Sequence, residues 1–321
     1  MGRTIAIGRP LIVGAAALVL SSCASAIAER GFDDTARMTA ERIGQRPIWV
    51  RDDAEAQAMR ENLDALLAKP LGPDDAVRVA LFNNRGLQVA FAEIGVGAAD
   101  LAAASRPPNP GISFRRVAGA GGADIEAQIA LDVVSLLTFP LVREAEERRF
   151  EQTKLRAAHE VLRVAAQTRR AYFSAIAAAQ TADFIAQVRD AARAQAELAQ
   201  RLTRAGNAPA LDYAREQAFY AEAAARLARA RQRALGERER LARLMGLWGD
   251  DLDFKLPERL ADLPATLEPA DGLEAKAVAD RLDIRMARAE IDGLRRSLGL
   301  TRARSEEHTS ELQSRGLISY A

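Results

Sequence analysis

Few side chains in this 321-residue chain are of types that do chemistry at neutral pH, and they do not gather. The only cysteine, Cys23, follows Leu20-Ser21-Ser22. Of the two histidines, His159 has no second ligand or base at helical spacing, and His308 lies in an atypical tail. The acids of "GDDLDF" (Asp250, Asp251, Asp253) read more readily as a solvated loop ending a helix than as a cation site. No glycine-rich phosphate loop and no cysteine or histidine cluster accompanies them. No catalytic residue, metal site or enzyme activity is therefore expected, which leaves the Cys23 thiol as the one reactive group.

Its surroundings say what it reacts with. Arg3 and Arg9 precede an apolar run from Leu11 to Leu20, too short to remain in a bilayer as a spanning helix, so residues 1–22 read as a signal peptide. The closing Leu20-Ser21-Ser22-Cys23 resembles the bacterial lipobox, in which small residues admit a dedicated peptidase and the thiol becomes lipid-modified. An ordinary secretory signal with an incidental cysteine is the alternative. A lone exported cysteine makes no intramolecular disulfide. Because Ala24 is not aspartate, the lipobox resemblance implies sorting to the outer membrane. A covalent lipid on Cys23 is the only cofactor-like group expected, with membrane lipid as its partner.

Composition excludes other partners. With 49% hydrophobic and 28% charged residues the chain folds, but 5% aromatics argue against a large globular core. A net charge of +1, acids and bases interleaved, leaves no basic stripe for nucleic acid.

The elements that carry the anchor follow in order. Residues 23–72 form a lipid-anchored lead-in, extended and partly helical, with breaks at Pro47 and Pro70. From Pro73 the pattern predicts a helix to about Ser105, with Val77, Leu81, Val89 and Ala92 on its apolar face. Gly86, Gly95 and Gly97 within it suggest close packing against another helix. "RPPNPG" (Arg106 to Gly111) stops that helix.

A β-hairpin is expected over 111–139. Ile112, Phe114 and Arg116 share one face of its first strand. Along the second, Ile125, Ala127, Ile129, Leu131 and Val133 alternate with Asp124, Glu126, Gln128, Ala130 and Asp132. Such alternation fits a half-buried strand of a soluble sheet or a barrel strand with its apolar face to lipid.

Residues 141–205 contain no glycine and no proline, which predicts one helix about 97 Å long. Its apolar positions (Leu155, Ala158, Leu162, Ala165, Tyr172, Ile176, Ala179) recur at 3–4 spacing, broken by Arg169. Gly206, Asn207 and Pro209 turn the chain into an antiparallel helix over 211–245, so 73–249 forms one repeat and 250–270 a linker. Residues 271–303 begin a second repeat: "IRMARAEI" (Ile284 to Ile291) matches "LQVAFAEI" (Leu87 to Ile94) at four of eight positions. The fold class is mainly α with a β-hairpin, the first of two helix-strand-strand-helix repeats.

The lipobox, "LLAKPLGPDDAVRVALFNNRGLQVAFAEIGVGAADL" (Leu66 to Leu101), "PPNPGISF", "RLTRAGNAPALDYAREQ" (Arg201 to Gln217) and "RLDIRMARAEI" (Arg281 to Ile291) together resemble the outer membrane factor family. These are the TolC-like channels of tripartite efflux pumps and type I secretion systems. The resemblance covers most of residues 45–303 and implies a homotrimer. In it three chains, with four strands each, close a barrel whose long helices continue as a periplasmic tunnel. It also implies an inner membrane transporter and a periplasmic adaptor as partners, the adaptor meeting the turn at Ala205, Gly206 and Asn207. An ordinary glycine helix cap explains Gly206 equally well. In the channel reading Arg115, Arg116, Asp124, Glu126 and Asp132 face the lumen; in a soluble sheet they face solvent. The competing class is a lipid-anchored periplasmic helical scaffold or adaptor-like protein.

Within the second repeat, the match places a proline-rich strand signal at positions 304–305, where the chain has Arg304-Ser305. "RSEEHTSELQS" resembles the frame translation of a common short-read sequencing adapter, so residues 304–321 are expected to be non-native and the protomer incomplete. A polar disordered tail is the plain alternative. Resequencing the locus should give a different continuation after about Ala303, and recovery of the same tail would refute this expectation.

Overall fold

The computed structural model describes the backbone of residues 9–119, 122–263, 271–295 and 298, and their side chains except over 9–23 and 116–125. In order, the chain forms helix α1 (Arg9–Ile43), α2 (Asp53–Leu67), α3 (Pro73–Asn83), α4 (Arg85–Ala104), strands β1 (Gly111–Gly119) and β2 (Gly122–Ala130), α5 (Val133–Arg204), α6 (Ala210–Met245), a 3-10 turn (Gly249–Asp253) and α7 (Leu273–Asp280). Residues 282–295 are helical again. The mainly helical fold with one β-hairpin and very long helices is as expected. Two compact units emerge, one of residues 39–89 and 160–271, the other of 1–38, 90–159 and 272–321.

The first unit is built around a clasp. Gly246 ends α6 in the left-handed conformation (φ 70°), with Leu247 N–H reaching back to Ala242 O and Gly246 N–H to Arg243 O. Onto the remaining carbonyls come two amides from the end of α3. Asn83 Nδ2 donates to Met245 O and Gly246 O at 3.0 Å each, and Asn84 Nδ2 to Leu244 O at 2.8 Å. Asn84 itself is extended (ψ 115°), and its Oδ1 accepts from Leu87 N–H, so one residue caps the helix that follows and the helix it abuts.

This breaks the single helix expected over 73–105 into α3 and α4. The break also rotates the buried face. Val77 and Leu81 are buried as expected, but Val89 is 59% exposed and the interior positions of α4 become Leu87, Phe91, Ile94 and Ala98. Among the described residues α4 is the one helix long and apolar enough to cross a membrane, yet these four side chains are covered by protein.

Around the clasp, Leu63, Leu71, Val79, Phe82, Tyr172, Ile176, Leu241, Met245, Leu247 and Phe254 form the core. Tyr172 Oη donates to Leu71 O at 2.9 Å, and Leu71 N–H to Lys255 O. The arginine that interrupts the α5 stripe, Arg169, is exposed and pairs with Asp74 in the first turn of α3. The stretch expected as a free linker from 250 packs here too: Phe254 is buried beneath the Arg238 guanidinium, 4.1 Å above its ring, and Leu260 N–H donates to Gln180 Oε1. Residues 264–270 lie outside the described set. The lead-in, too, is mostly helical rather than extended, because Gly44 (φ 70°) ends α1 and Asp52 caps α2 by accepting from Glu55 N–H.

In the second unit, Phe150 of α5 meets α1 and α4 at glycines. A Cβ on Gly31 would lie 2.5 Å from Phe150 Cζ, and one on Gly97 3.3 Å from Phe150 Cδ2. Gly97 thus packs closely as expected, whereas a Cβ on Gly86 would meet only Asn84 Oδ1. Phe32 and Phe91 make an edge-to-face pair at 5.1 Å.

Gly206 and Gly246 share a left-handed backbone, which costs an alanine about 1–2 kcal/mol. A Cβ at Gly206 meets nothing within 4 Å, while one at Gly246 would lie 2.4 Å from Asn83 O, a backbone atom that cannot swing aside. Gly246→Ala should therefore lower stability well beyond Gly206→Ala, read as the shift in urea midpoint of the two variants. Equal shifts would remove the clasp from the account.

Candidate functional site

The β-hairpin is regular, antiparallel and joined through residues 119–122. Its register sets Ile112 opposite Ile129, Phe114 opposite Ala127, and Arg116 opposite Ile125. On the alternate face Ser113 opposes Gln128, Arg115 opposes Glu126, and Val117 opposes Asp124. One face is thus apolar except for Arg116, whose register position is with Ile112 and Phe114 and not with Arg115 as the lumen-facing expectation had it; the other carries a cross-strand pair of opposite charge. Ile112, Phe114 and Ile129 are exposed, so none of the described residues covers the apolar positions of this face. Both strands are nine residues long, short of the 111–139 span expected.

The shortfall has a local cause. Asp132 is not a strand residue: its carboxylate accepts from Ser135 N–H at 2.9 Å and from Ser135 Oγ at 2.6 Å, starting α5 at Val133. Its expected place on the polar face with Arg115, Asp124 and Glu126 is thereby corrected. The helix continues through Pro140. As the eighth residue of α5, Pro140 removes the hydrogen bond to the Leu136 carbonyl and sets its ring against that oxygen, a cost the helix carries without ending there. The expected helix start at Leu141 moves eight residues earlier, to give a 72-residue α5.

At its far end, α5 closes with a second left-handed glycine. Asn207 N–H donates to Leu202 O at 2.9 Å and Gly206 N–H to Thr203 O at 3.1 Å, the paired bonds that terminate a helix at glycine. Ala205, Gly206 and Asn207 are all exposed. Pro209 precedes α6, and Thr203 Oγ1 donates to its carbonyl across the turn. Asp212 lies in the first turn of α6 without capping it.

Cys23 falls on the helical backbone of α1, and its side chain is outside the described set, as is that of Asp124. Residues 304–321 are outside it entirely. Eleven residues after the cysteine, Asp34 holds the lead-in to α5. Lys154, 7% exposed, donates to Asp34 Oδ2 at 3.0 Å and pairs with Glu151 at 2.7 Å, with the Phe150 ring 5.5 Å from its nitrogen. Burial alone pushes the Lys154 ammonium downward, but the hydrogen bonds and charges of Glu151 and Asp34 outweigh it and the net direction is up.

No group of three or more histidine, cysteine, aspartate or glutamate side chains could hold a metal ion among the described residues. The acids of residues 250–253 are not a uniformly solvated loop, because Asp251 is buried and takes a two-armed contact from Arg60, both at 2.7 Å. That contact, with the hydrogen bonds and charge of Asp251, holds Arg60 above the ordinary arginine value. The pair floors a cleft of about 240 Å³ with Phe82, Gln88 and Trp248. Gln88 spends its amide on Val50, Ile48 and Phe82. Sequence reasoning missed this pair and the asparagine clasp. Adjacent asparagines inside an apolar helical pattern, where asparagine favours a cap over an interior position, were the signal for the clasp.

Neither a family model nor a curated protein matches the chain. Solved structures do. A membrane protein from Pseudomonas aeruginosa superposes with a TM-score of 0.60 at 21% identity over 72% of this chain and 57% of that one. The Campylobacter jejuni CmeC outer membrane channel gives 0.56 at 15% identity, over 83% and 58%. The outer-membrane channel OprN gives 0.56 at 21%, over 72% and 55%. The chain has the outer membrane factor fold. It spans between half and two thirds of the length of these proteins. Among the described residues the apolar hairpin positions and the glycine turn are exposed.

The Lys154 contact gives a stability test. Because its value is raised in the folded state, its contribution is complete below the ordinary lysine value of about 10.4 and is lost only as pH rises through the higher folded value. Lys154→Met keeps the volume and frees two part-exposed carboxylates to water, whereas Asp34→Ala with Glu151→Ala strands a buried ammonium. The double variant should lose more stability at pH 7 than Lys154→Met, by urea denaturation.

Proposed function

We propose that this chain is a subunit of a trimeric outer-membrane channel, a passive export duct of a tripartite efflux pump or type I secretion system. The observation that carries the reading is a hairpin with one exposed face, apolar at Ile112, Phe114, Ala127 and Ile129 with Arg116 toward its turn, and one charged face, leading into a 72-residue helix. Two strands cannot sit in hydrocarbon with unpaired edges, so closure calls for hairpins from other copies. In the closed barrel Ile112, Phe114, Ala127 and Ile129 face lipid, while Arg115, Asp124 and Glu126 face the lumen. Opposite charges at the Arg115 and Glu126 register position favour neither sign of cargo strongly.

The remaining parts fit the same duct. Cys23, acylated after cleavage of residues 1–22, anchors the amino terminus in the outer membrane, and the Asp34 and Lys154 contact ties that anchored segment to α5. The exposed turn at Ala205, Gly206 and Asn207 offers a periplasmic adaptor a surface with little side-chain bulk. Substrate choice then rests with an inner membrane transporter.

Outer membranes of cells producing the full protein should yield a species of three protomers in mild detergent that boiling converts to monomer. Labelled palmitate should enter the wild type and not Cys23→Ser. A salt-washable periplasmic monomer would support the scaffold reading instead.

A further inference from the structure

The hairpin is too short for the membrane it is proposed to cross. Nine residues per strand rise about 31 Å, and at a tilt of about 45° that covers roughly 22 Å, against an apolar band of about 25 Å and a hydrocarbon core of about 30 Å. The chain on either side of the hairpin supplies what is missing. After β2 come Leu131 and then the first turns of α5, where Val133, Val134, Leu136, Leu137 and Leu141 are all exposed, Leu137 at 73%. No charge occurs from Val133 to Val142, and the two polar side chains, Ser135 and Thr138, bond within the segment to Asp132 and to Val134 O, a pattern that suits burial or lipid more than water. At Arg143 the composition changes at once to "REAEERR".

The one charge at the junction, Asp132, is spent on Ser135. On the other strand the uncharged "PPNP" stretch of four residues leads back from Gly111 to exposed Arg106. Extended, those four residues span about 13 Å, and the nine residues 133–141 of α5 rise about 13 Å as well. With Leu131, Asp132 and Val142 included, the uncharged path from β2 to Arg143, Asp132 apart, is about 22 Å along the chain, and the path from β1 back to Arg106 is about 13 Å. Arginines at that depth snorkel to headgroups.

We propose that residues 131–141 form a lipid-contacting collar: the first two turns of α5 lie at the inner boundary of the bilayer, against acyl chains, with Arg106 and Arg143 bounding the apolar stretch on the headgroup side. This rests on the channel reading above and sets how far into the helix the membrane extends.

The test places an environment-sensitive nitrobenzoxadiazole dye on single cysteines in the full chain carrying Cys23→Ala, reconstituted in phosphatidylethanolamine and phosphatidylglycerol vesicles. Labelled Leu137→Cys and Leu136→Cys should emit to the blue and lose most of their emission to nitroxide-labelled lipid. Labelled Arg149→Cys should respond only to aqueous iodide. If label at Phe114→Cys is quenched by lipid while both collar positions answer to iodide alone, the collar is overturned and the channel stands. If positions 136 and 137 instead form disulfides between copies and resist both quenchers, the segment is a subunit interface and the collar is again overturned. Iodide quenching at 114 as well would overturn the channel reading with it.

Discussion

The end of α6 is the constraint on which the first unit depends. A helix leaves its last carbonyls unpaired, and inside a packed unit those oxygens need donors. Here Gly246 turns left-handed to supply two, and the Asn83 and Asn84 amides supply the rest. The same asparagines end α3 and start α4, so one set of hydrogen bonds fixes where three helices stop or begin. No side chain fits at Gly246, because Asn83 O occupies its place.

That clasp has consequences for what can face outward. By breaking the chain at Asn84 it turns Leu87, Phe91, Ile94 and Ala98 inward and leaves Val89 and Val96 out. Elsewhere, large apolar side chains remain exposed in quantity: Phe114 and Ile129 on the hairpin, Leu137 on the collar, Phe184 on α5. A soluble monomer rarely carries so much apolar surface without a use for it. In the channel proposed above, lipid and neighbouring subunits would cover this surface; the buried Lys154 with its two carboxylates ties α1 to α5 without a large core.

Much of this was legible in residue order. Alternation from Asp124 to Ala130 placed β2 and its two faces, and the glycine-free run after Pro140 placed α5. Gly206 and Gly246 marked the helix ends. Where expectation and structure part, the reason is a side chain that acts on backbone: Asp132, taken for a strand residue, is a cap through Ser135. Pro140, taken for a boundary, lies inside α5. Asp251, taken for solvated, is held by an arginine 191 residues away in sequence.

Periodicity and punctuation, which are local, were enough for the sequence to determine the kinds of element, their order and the two faces of the hairpin. Register, the break at Asn84, the partners of Asp251 and Lys154, and the packing of Phe150 against Gly31 and Gly97 were decided only in three dimensions. Each of these is a contact between segments distant in sequence. Whether an asparagine caps a helix or an aspartate meets water depends on which unpaired group the fold brings within about 3 Å of it.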